Sequence, residues 1–504
     1  MFLTNYMKKI QFFNLLLIFA ISATAQQPVF KWAQMKDANF EGLSNPKIVL
    51  PSANGFYTYS YEGATNPMLP SYMFVSKFDG NAAYLGNQKL EFPKRNRRAA
   101  DLKTVLESAD NQKLFFISEL AMGKDNVNIL YLQEYSNDQT KPETELVKMP
   151  FEKLSNSGSF DTAQSADKSK IAVLVHLPHE KEGKEKIKTL VFDGNFTKIW
   201  EKEYTLDYPS ERGYNEKLFV TNAGKILLAK VEDESKKEPK ISYIHISDSE
   251  VTEKMIAEPG FYPSEYQIAE AENGDIYLAG FYTDNWKPTI SAGGRKEKGA
   301  FAYNTTKGSL FSKNLFTENL HKDYSGNFIG LKILDLSVKK NQIVIVGDVK
   351  SVKQEMDKTP GSFATNYTYT TGPGVAAVID EKGALTSALL DYDELKYMNK
   401  MGALTSFFPI EYNGKLFMLG NDSESKLKGK KLVMGRDVYS KTVIFNGFNP
   451  DGSVTVNPVW ESGTGGKDAT TWLAPSFTRK IDDQSYYVYA LGNSYQAFGK
   501  MTIK

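Results

Sequence analysis

No cysteine occurs among the 504 residues, and histidine (4) and tryptophan (5) are scarce. Without a thiol there is no disulfide framework, no cysteine nucleophile, no thiolate-bound zinc and no iron–sulfur cluster. Net charge is also missing. The 61 Lys+Arg stand against 60 Asp+Glu, which excludes the basic surface a general nucleic-acid binder needs to displace phosphate counterions. Beyond the first 25 residues no apolar run is long enough to span a bilayer. Aromatic side chains are plentiful, with 28 Tyr and 31 Phe. At 41% hydrophobic and 24% charged residues, the composition is that of a globular chain, not a disordered one.

The N-terminus reads as an export signal. Lys8 and Lys9 precede an apolar run, Ile10 to Ile21, interrupted only by Gln11 and Asn14, and Ala23-Thr24-Ala25 follows. A positive segment, an apolar core and small residues at −3 and −1 predict cleavage after Ala25, leaving a mature domain of residues 26–504. A lipoprotein would need a cysteine at the cut, so the expectation is a soluble periplasmic or secreted protein with no transmembrane segment after cleavage.

The rest of the chain repeats. A turn residue or Gly and a polar residue precede four or five apolar or aromatic residues, often closed by Gly. The clearest copies are Asn273-Gly274-Asp275-Ile276-Tyr277-Leu278-Ala279-Gly280 and Asn413-Gly414-Lys415-Leu416-Phe417-Met418-Leu419-Gly420. Anchored on the first apolar residue, the copies fall at Phe56, Leu114, Ile171, Ile226, Ile276, Ile343, Leu416 and Val488, in steps of 58, 57, 55, 50, 67, 73 and 72 residues. Each run is short and β-rich, as a strand buried on both faces should be. Further strands flank the copies, for example Ser264 to Ala271 before one and Lys198 to Leu206 after another. Gly-containing pairs such as Asp79-Gly80, Asp193-Gly194, Lys307-Gly308, Lys382-Gly383 and Asp451-Gly452 predict hairpin turns with positive φ.

Four antiparallel strands per unit and eight units resemble the β-propeller superfamily, and the resemblance covers nearly all of the mature chain. It is closest to secreted bacterial propellers of unassigned function and implies an all-β fold with eight blades, seven being the alternative count. Only one strand, about Tyr495 to Ile503, follows the eighth copy, while Val29-Phe30-Lys31-Trp32 precedes the first blade. The N-terminal strand is therefore expected to pair into the last blade and close the ring. Quinoprotein dehydrogenases also have eight blades, but their blade-by-blade tryptophan sequence is only faintly matched, at Asp193 to Trp200 and Asp451 to Trp460, and paired cysteines are absent.

In a propeller the loops from second to third strand share a face with the blade-to-blade loops. Three of the former, 283–298, 351–373 and 423–440, are long and belong to adjacent blades. They carry Trp286 and Arg295, then Tyr367 and Tyr369, then Arg436 among several lysines. Blade-to-blade loops add Arg212, Tyr214, Tyr262, Tyr324 and Trp472. Aromatic platforms beside cations suit a glycan, a peptide or a carboxylate, or an envelope protein as partner. The bland alternative is that these loops are merely solvated.

Recognisable catalysis is thin. His176-Leu-Pro-His179 at a strand exit reads as structural, Asp391-Tyr-Asp393-Glu394 as the start of a short surface helix capped by Asp391, and Gly463 to Lys467 as a flexible loop lacking the phosphate-loop spacing. Lys94 to Arg98 reads as an exposed inter-blade segment. No cofactor and no metal site is expected. Two functions follow as expectations: a non-catalytic binding or scaffold propeller, or a glycan-acting hydrolase or lyase with its site at the channel mouth, assembled from several blades.

Overall fold

The computed structural model describes residues 28–504, except 41, 63–71, 97, 180–181, 211–214, 233–237, 239, 257, 259, 288–295, 317–329, 340–341, 357–364, 391–394, 399–403, 423–441, 450–451, 456, 462–470 and 493. Regular structure among them is strand, apart from two 3-10 turns, Leu154–Asn156 and Pro475–Phe477. Each of the eight anchors lies on the second strand of its own antiparallel sheet, from Gly55–Glu62 in the first to Ser485–Gly492 in the last. The apolar runs are strands because both faces are covered. Every position of Ile276–Thr283 and of Ser485–Gly492 is buried.

Within a sheet the strands follow chain order, as in Ser159–Gln164, Lys170–His176, Lys184–Asp193 and Lys198–Pro209. Where a sheet has more than four segments, the surplus comes from interrupted strands, one in each five-segment sheet and two in the last blade. Gln139–Thr140 and Thr144–Pro150, for instance, both pair with Val127–Ser136. The eight blades span 47–91, 101–150, 159–209, 215–256, 262–315, 331–398, 408–461 and 471–503. First strands of neighbouring blades lie against one another from blade 3 through blade 7 and again between blades 8 and 1, so they form the inner layer of the ring.

The hydrophobic core is divided among the seams between blades. One cluster joins blades 1 and 2 through Val75 and Phe116, the next joins blades 2 and 3 through Ile117 and Val173, and so on around the ring. The last joins blade 8 back to blade 1 through Tyr487, Phe498, Phe56 and Phe78. Closure is covalent order made into sheet: Pro28–Trp32 pairs with Tyr495–Ile503 from Pro28 opposite Ile503 to Trp32 opposite Gly499. The count is eight, and the N-terminal strand occupies the outer edge of the last blade as expected.

The closing Gly of the repeat has a steric cause. A Cβ at Gly280 would lie 2.1 Å from the backbone oxygen of Glu265, where the register of the first strand shifts. The bulge presses the first strand onto the second, and only Gly has no side chain to refuse it.

Three local expectations are corrected. In the turns at Asp79 and Asp193 the left-handed residues are Ala82 and Phe196, not the glycines. Each aspartate instead accepts the N–H groups two and four residues on. Gly80 and Gly194 serve close approach, since a Cβ there would meet Ala53 O at 2.5 Å and Lys168 O at 2.7 Å. Segment 351–373 is not a long loop: the strands Gln342–Met356 and Thr365–Ile379 continue through much of it as a hairpin. Asp391 to Glu394 lies outside the described residues, but Leu395–Met398, placed in a helix by the sequence, is a strand paired with Thr368 to Thr371.

Candidate functional site

The rim face carries only part of the expected set. Arg212, Tyr214, Arg295, Tyr324 and Arg436 lie outside the described residues, as does all of 423–440. Tyr262 opens the first strand of blade 5 and its hydroxyl donates to Glu238, which follows the second strand of blade 4. That bond ties together two kinds of loop the sequence assigned to one face. Trp286 is half-buried with the Lys287 ammonium 5.6 Å from its ring. Tyr367 and Tyr369 stand side by side on the projecting hairpin, ring centroids 6.4 Å apart. Val352 and Met356 are exposed on the partner strand, opposite Tyr369 and Thr365 respectively. Trp472 is a correction: only 4% exposed, it packs in the seam between blades 8 and 1 and is no platform for a ligand. A tryptophan opening a blade reads alike in sequence whether it points to the rim or to the seam.

Beneath that face the fold gathers charges the sequence left scattered. His176 ends the second strand of blade 3, with Asp161 on the first strand and Glu185 on the third. Glu216 and Lys230 come from the first two strands of blade 4. The His176 Nδ1 lies 3.3 Å from Glu185 Oε1, and its Nε2 lies 3.4 Å from Asp161 and 3.6 Å from Glu216. The Lys230 ammonium, fully buried, donates to both oxygens of Glu185 at 2.9 and 2.7 Å and to Glu216 at 2.6 Å. It also sits 5.0 Å from the ring centroid of Tyr208. Burial alone would lower His176, but the hydrogen bonds it donates to Asp161 and Glu185 and the charge of Glu216 carry it up to about 9. The bond to His176 holds Asp161 low. Burial acts to raise Glu185 but is outweighed by His176 and Lys230, whereas for Glu216 burial wins and the carboxyl is pushed up.

Ligand atoms of His176, Glu185 and Glu216 lie within 4.8 Å of one another, a spacing a metal ion could use. The ammonium of Lys230 already bridges the two carboxylates, so the group is self-neutralised and a metal would have to displace a buried lysine. The sequence treated His176 as structural. Its partners lie on four other strands of two blades, and no local spacing signals them.

Two more buried acids belong to this face. Glu297, 2% exposed, is pushed up to about 7 by burial, against hydrogen bonds from backbone N–H groups including Gly330 and Leu331 and from Ser264. Asp348, wholly buried beside Ser406, is pushed up by burial too.

On the opposite face, the seam between blades 6 and 7 opens. Its core is split into two small clusters, one around Val346, Phe407, Met418 and Ile444, the other around Ala376, Ala388 and Phe448. Val344 and Val378 of blade 6 and Leu416 of blade 7 remain only partly buried there. The result is a cleft of about 300 Å³, at the small end of ligand-site sizes. Val344, Val378, Leu416 and Phe448 make it apolar, while Asp335, Lys339, Asp380, Glu411 and Lys415 supply charge.

No family model and no curated protein matches the chain. Among solved structures, the WD40 domain of SCAP from fission yeast is 8% identical with a TM-score of 0.37, covering 93% of this chain and 98% of that one. An uncharacterized protein from Listeria monocytogenes is 10% identical, TM-score 0.35, covering 77% and 91%. The β-propeller domain of the trilobed protease from Pyrococcus furiosus is 11% identical, TM-score 0.33, covering 70% and 97%. Likenesses this distant carry nothing about activity. Among the described residues no helix is long and apolar enough to cross a membrane. The sheet order and the closed circuit of seams make the chain an eight-bladed β-propeller, with no characterised family to place it in.

Proposed function

We propose that the chain is an exported propeller that binds a ligand rather than transforming one. The observation that carries this is the cleft between blades 6 and 7, a concave site with apolar walls and a few charged groups, the composition small-molecule sites share. The rim aromatics Trp286, Tyr367 and Tyr369 on the other face offer a second surface, suited to a glycan or an envelope protein. Export rests on Lys8, Lys9, the apolar run to Ile21 and Ala23-Thr24-Ala25. The mature protein is then periplasmic or secreted and begins at Gln26.

A thermal-shift screen of residues 26–504 against oligosaccharides, peptides, amines and nucleotides tests the reading. A ligand at a hundred times its Kd stabilises by about 2.7 kcal/mol. A hit without turnover supports binding. Turnover abolished by a single substitution overturns it.

A second reading, a glycan-acting hydrolase or lyase at the channel mouth, is favoured by one arrangement. Asp161 and Glu216 bracket the same imidazole nitrogen from two inner-layer strands, and their carboxyls are shifted in opposite directions. Such a split separates an acid from a base. Release of reducing ends from an oligosaccharide, lost in Glu216→Gln with the fold intact, would establish it.

A further inference from the structure

We propose that the cleft between blades 6 and 7 takes a small organic cation, an ammonium joined to an apolar body. The inference rests on reading that cleft as the ligand site and adds the class of ligand.

The apolar part follows from the walls. Val344, Val378 and Leu416 are partly exposed at the cleft and Phe448 lines it too. Apolar walls of this kind gain by covering their surface with hydrocarbon and little by holding water, which needs several polar partners.

The cationic part follows from the charges that are already spent. Lys339 is committed to Glu411, Nζ to Oε2 at 2.6 Å. Asp380 is tied into its own turn, one oxygen accepting the N–H groups of Lys382 and Ala384. Lys415 is exposed, its charge in water. That leaves Asp335, half-buried on the inner-layer strand Leu331–Lys339. Burial and the nearby Glu411 charge both oppose its ionisation, and Lys339 and the Leu336 N–H relieve this only in part. An ammonium beside Asp335 would supply the missing counter-charge where water is scarce, while its hydrocarbon covers Val378, Leu416 and Phe448. An anionic ligand would meet Lys339 only after breaking the bond to Glu411, and Lys415 only where its charge is already solvated.

Three probes of one shape separate the cases: 2-phenylethylamine, 3-phenylpropanoate and 2-phenylethanol, titrated onto the full mature chain and followed by ligand-observed NMR and thermal shift. The amine should bind at least tenfold more tightly than either analogue. Asp335→Asn should weaken it at least tenfold, and Val378→Phe, which fills the cleft, should exclude it. Because Val378→Phe could disturb packing, Asp335→Asn, nearly isosteric, carries the decision alone if needed. Tighter binding of the propanoate or the alcohol, blocked by Val378→Phe, overturns the cation while leaving the cleft as a ligand site. Amine binding unchanged in Asp335→Asn also overturns the cation. No binding of any probe overturns both.

Discussion

The Tyr487 phenol donates a hydrogen bond to the backbone oxygen of Ser52 at 2.7 Å, joining residues 435 apart in sequence. The same ring lies 4.3 Å, centroid to centroid, from Phe56. Last blade and first blade are thus one packed unit, and the closing strand is what keeps them so. A Cβ at position 499 would lie 2.7 Å from the Trp32 ring and 2.9 Å from Lys31 O. Gly499→Val should therefore expel Pro28–Trp32, lower the melting temperature and expose the N-terminal segment to protease. Phe56→Ala should cost about 3–5 kcal/mol by cavity formation. Wild-type melting and protease resistance in Gly499→Val would contradict this account of closure.

Lys230 is a buried charge whose counter-charges are buried with it. Lys230→Met leaves Glu185 and Glu216 with only the His176 imidazolium between them, and should destabilise by about 3–5 kcal/mol. Adding Glu185→Gln and Glu216→Gln should restore much of the loss, because the uncompensated charge goes with them. Urea unfolding of the single and triple variants measures both. Equal stability of the two would show that the ion group contributes through packing alone.

His176 links this cluster to pH. Its folded pKa of about 9 lies above the ordinary value of 6.5, so the protonated ring stabilises the fold. That contribution is complete below pH 6.5 and is lost as pH rises to 9, about 3 kcal/mol in all. The side chain is 19% exposed, so solvent screening is modest. His176→Gln should flatten the unfolding free energy across that window, and the imidazole resonances should titrate near pH 9.

Glu297 acts in the same direction for another reason. A carboxyl carried up to about 7 by burial binds its proton in the folded state at pH values where the unfolded chain has released it. Stability therefore falls as pH rises from about 4.5 to 7. Glu297→Gln should be close to neutral at pH 4 and more stable than wild type at pH 8. Denaturation curves at those two pH values decide it.

Trp472 and Tyr367 test the reassignment of the rim. Trp472→Ala should cost about 3–5 kcal/mol, as a large buried side chain does. Tyr367→Ala, 38% exposed on the hairpin, should change stability far less. If Trp472→Ala melted like wild type, the tryptophan would belong to the surface after all.

The second strand of every blade was readable because its cause is local: a strand buried on both faces is apolar at most positions, and the turn before it often carries Gly or Asn. The closing strand was readable from the leftovers at the two ends. The hairpin at 351–373 was not, since Thr, Tyr, Lys and Val suit both a loop and an exposed strand. Nor was the role of Gly80 and Gly194, which depends on a neighbouring turn approaching within van der Waals distance.

The amino-acid sequence alone determined the strand repeat and the seam-filling character of each central strand, because those follow from short-range periodicity and burial; it favoured eight blades over seven, and the sheet order settled eight. Only the tertiary structure decided where charge and emptiness fall. Asp161, His176, Glu185, Glu216 and Lys230 become one ion group because two blades pack at a particular register. The cleft is walled by two blades, Val344 and Val378 from one and Leu416 and Phe448 from the next. Both depend on contacts between segments far apart in the chain, and no local pattern encodes such contacts.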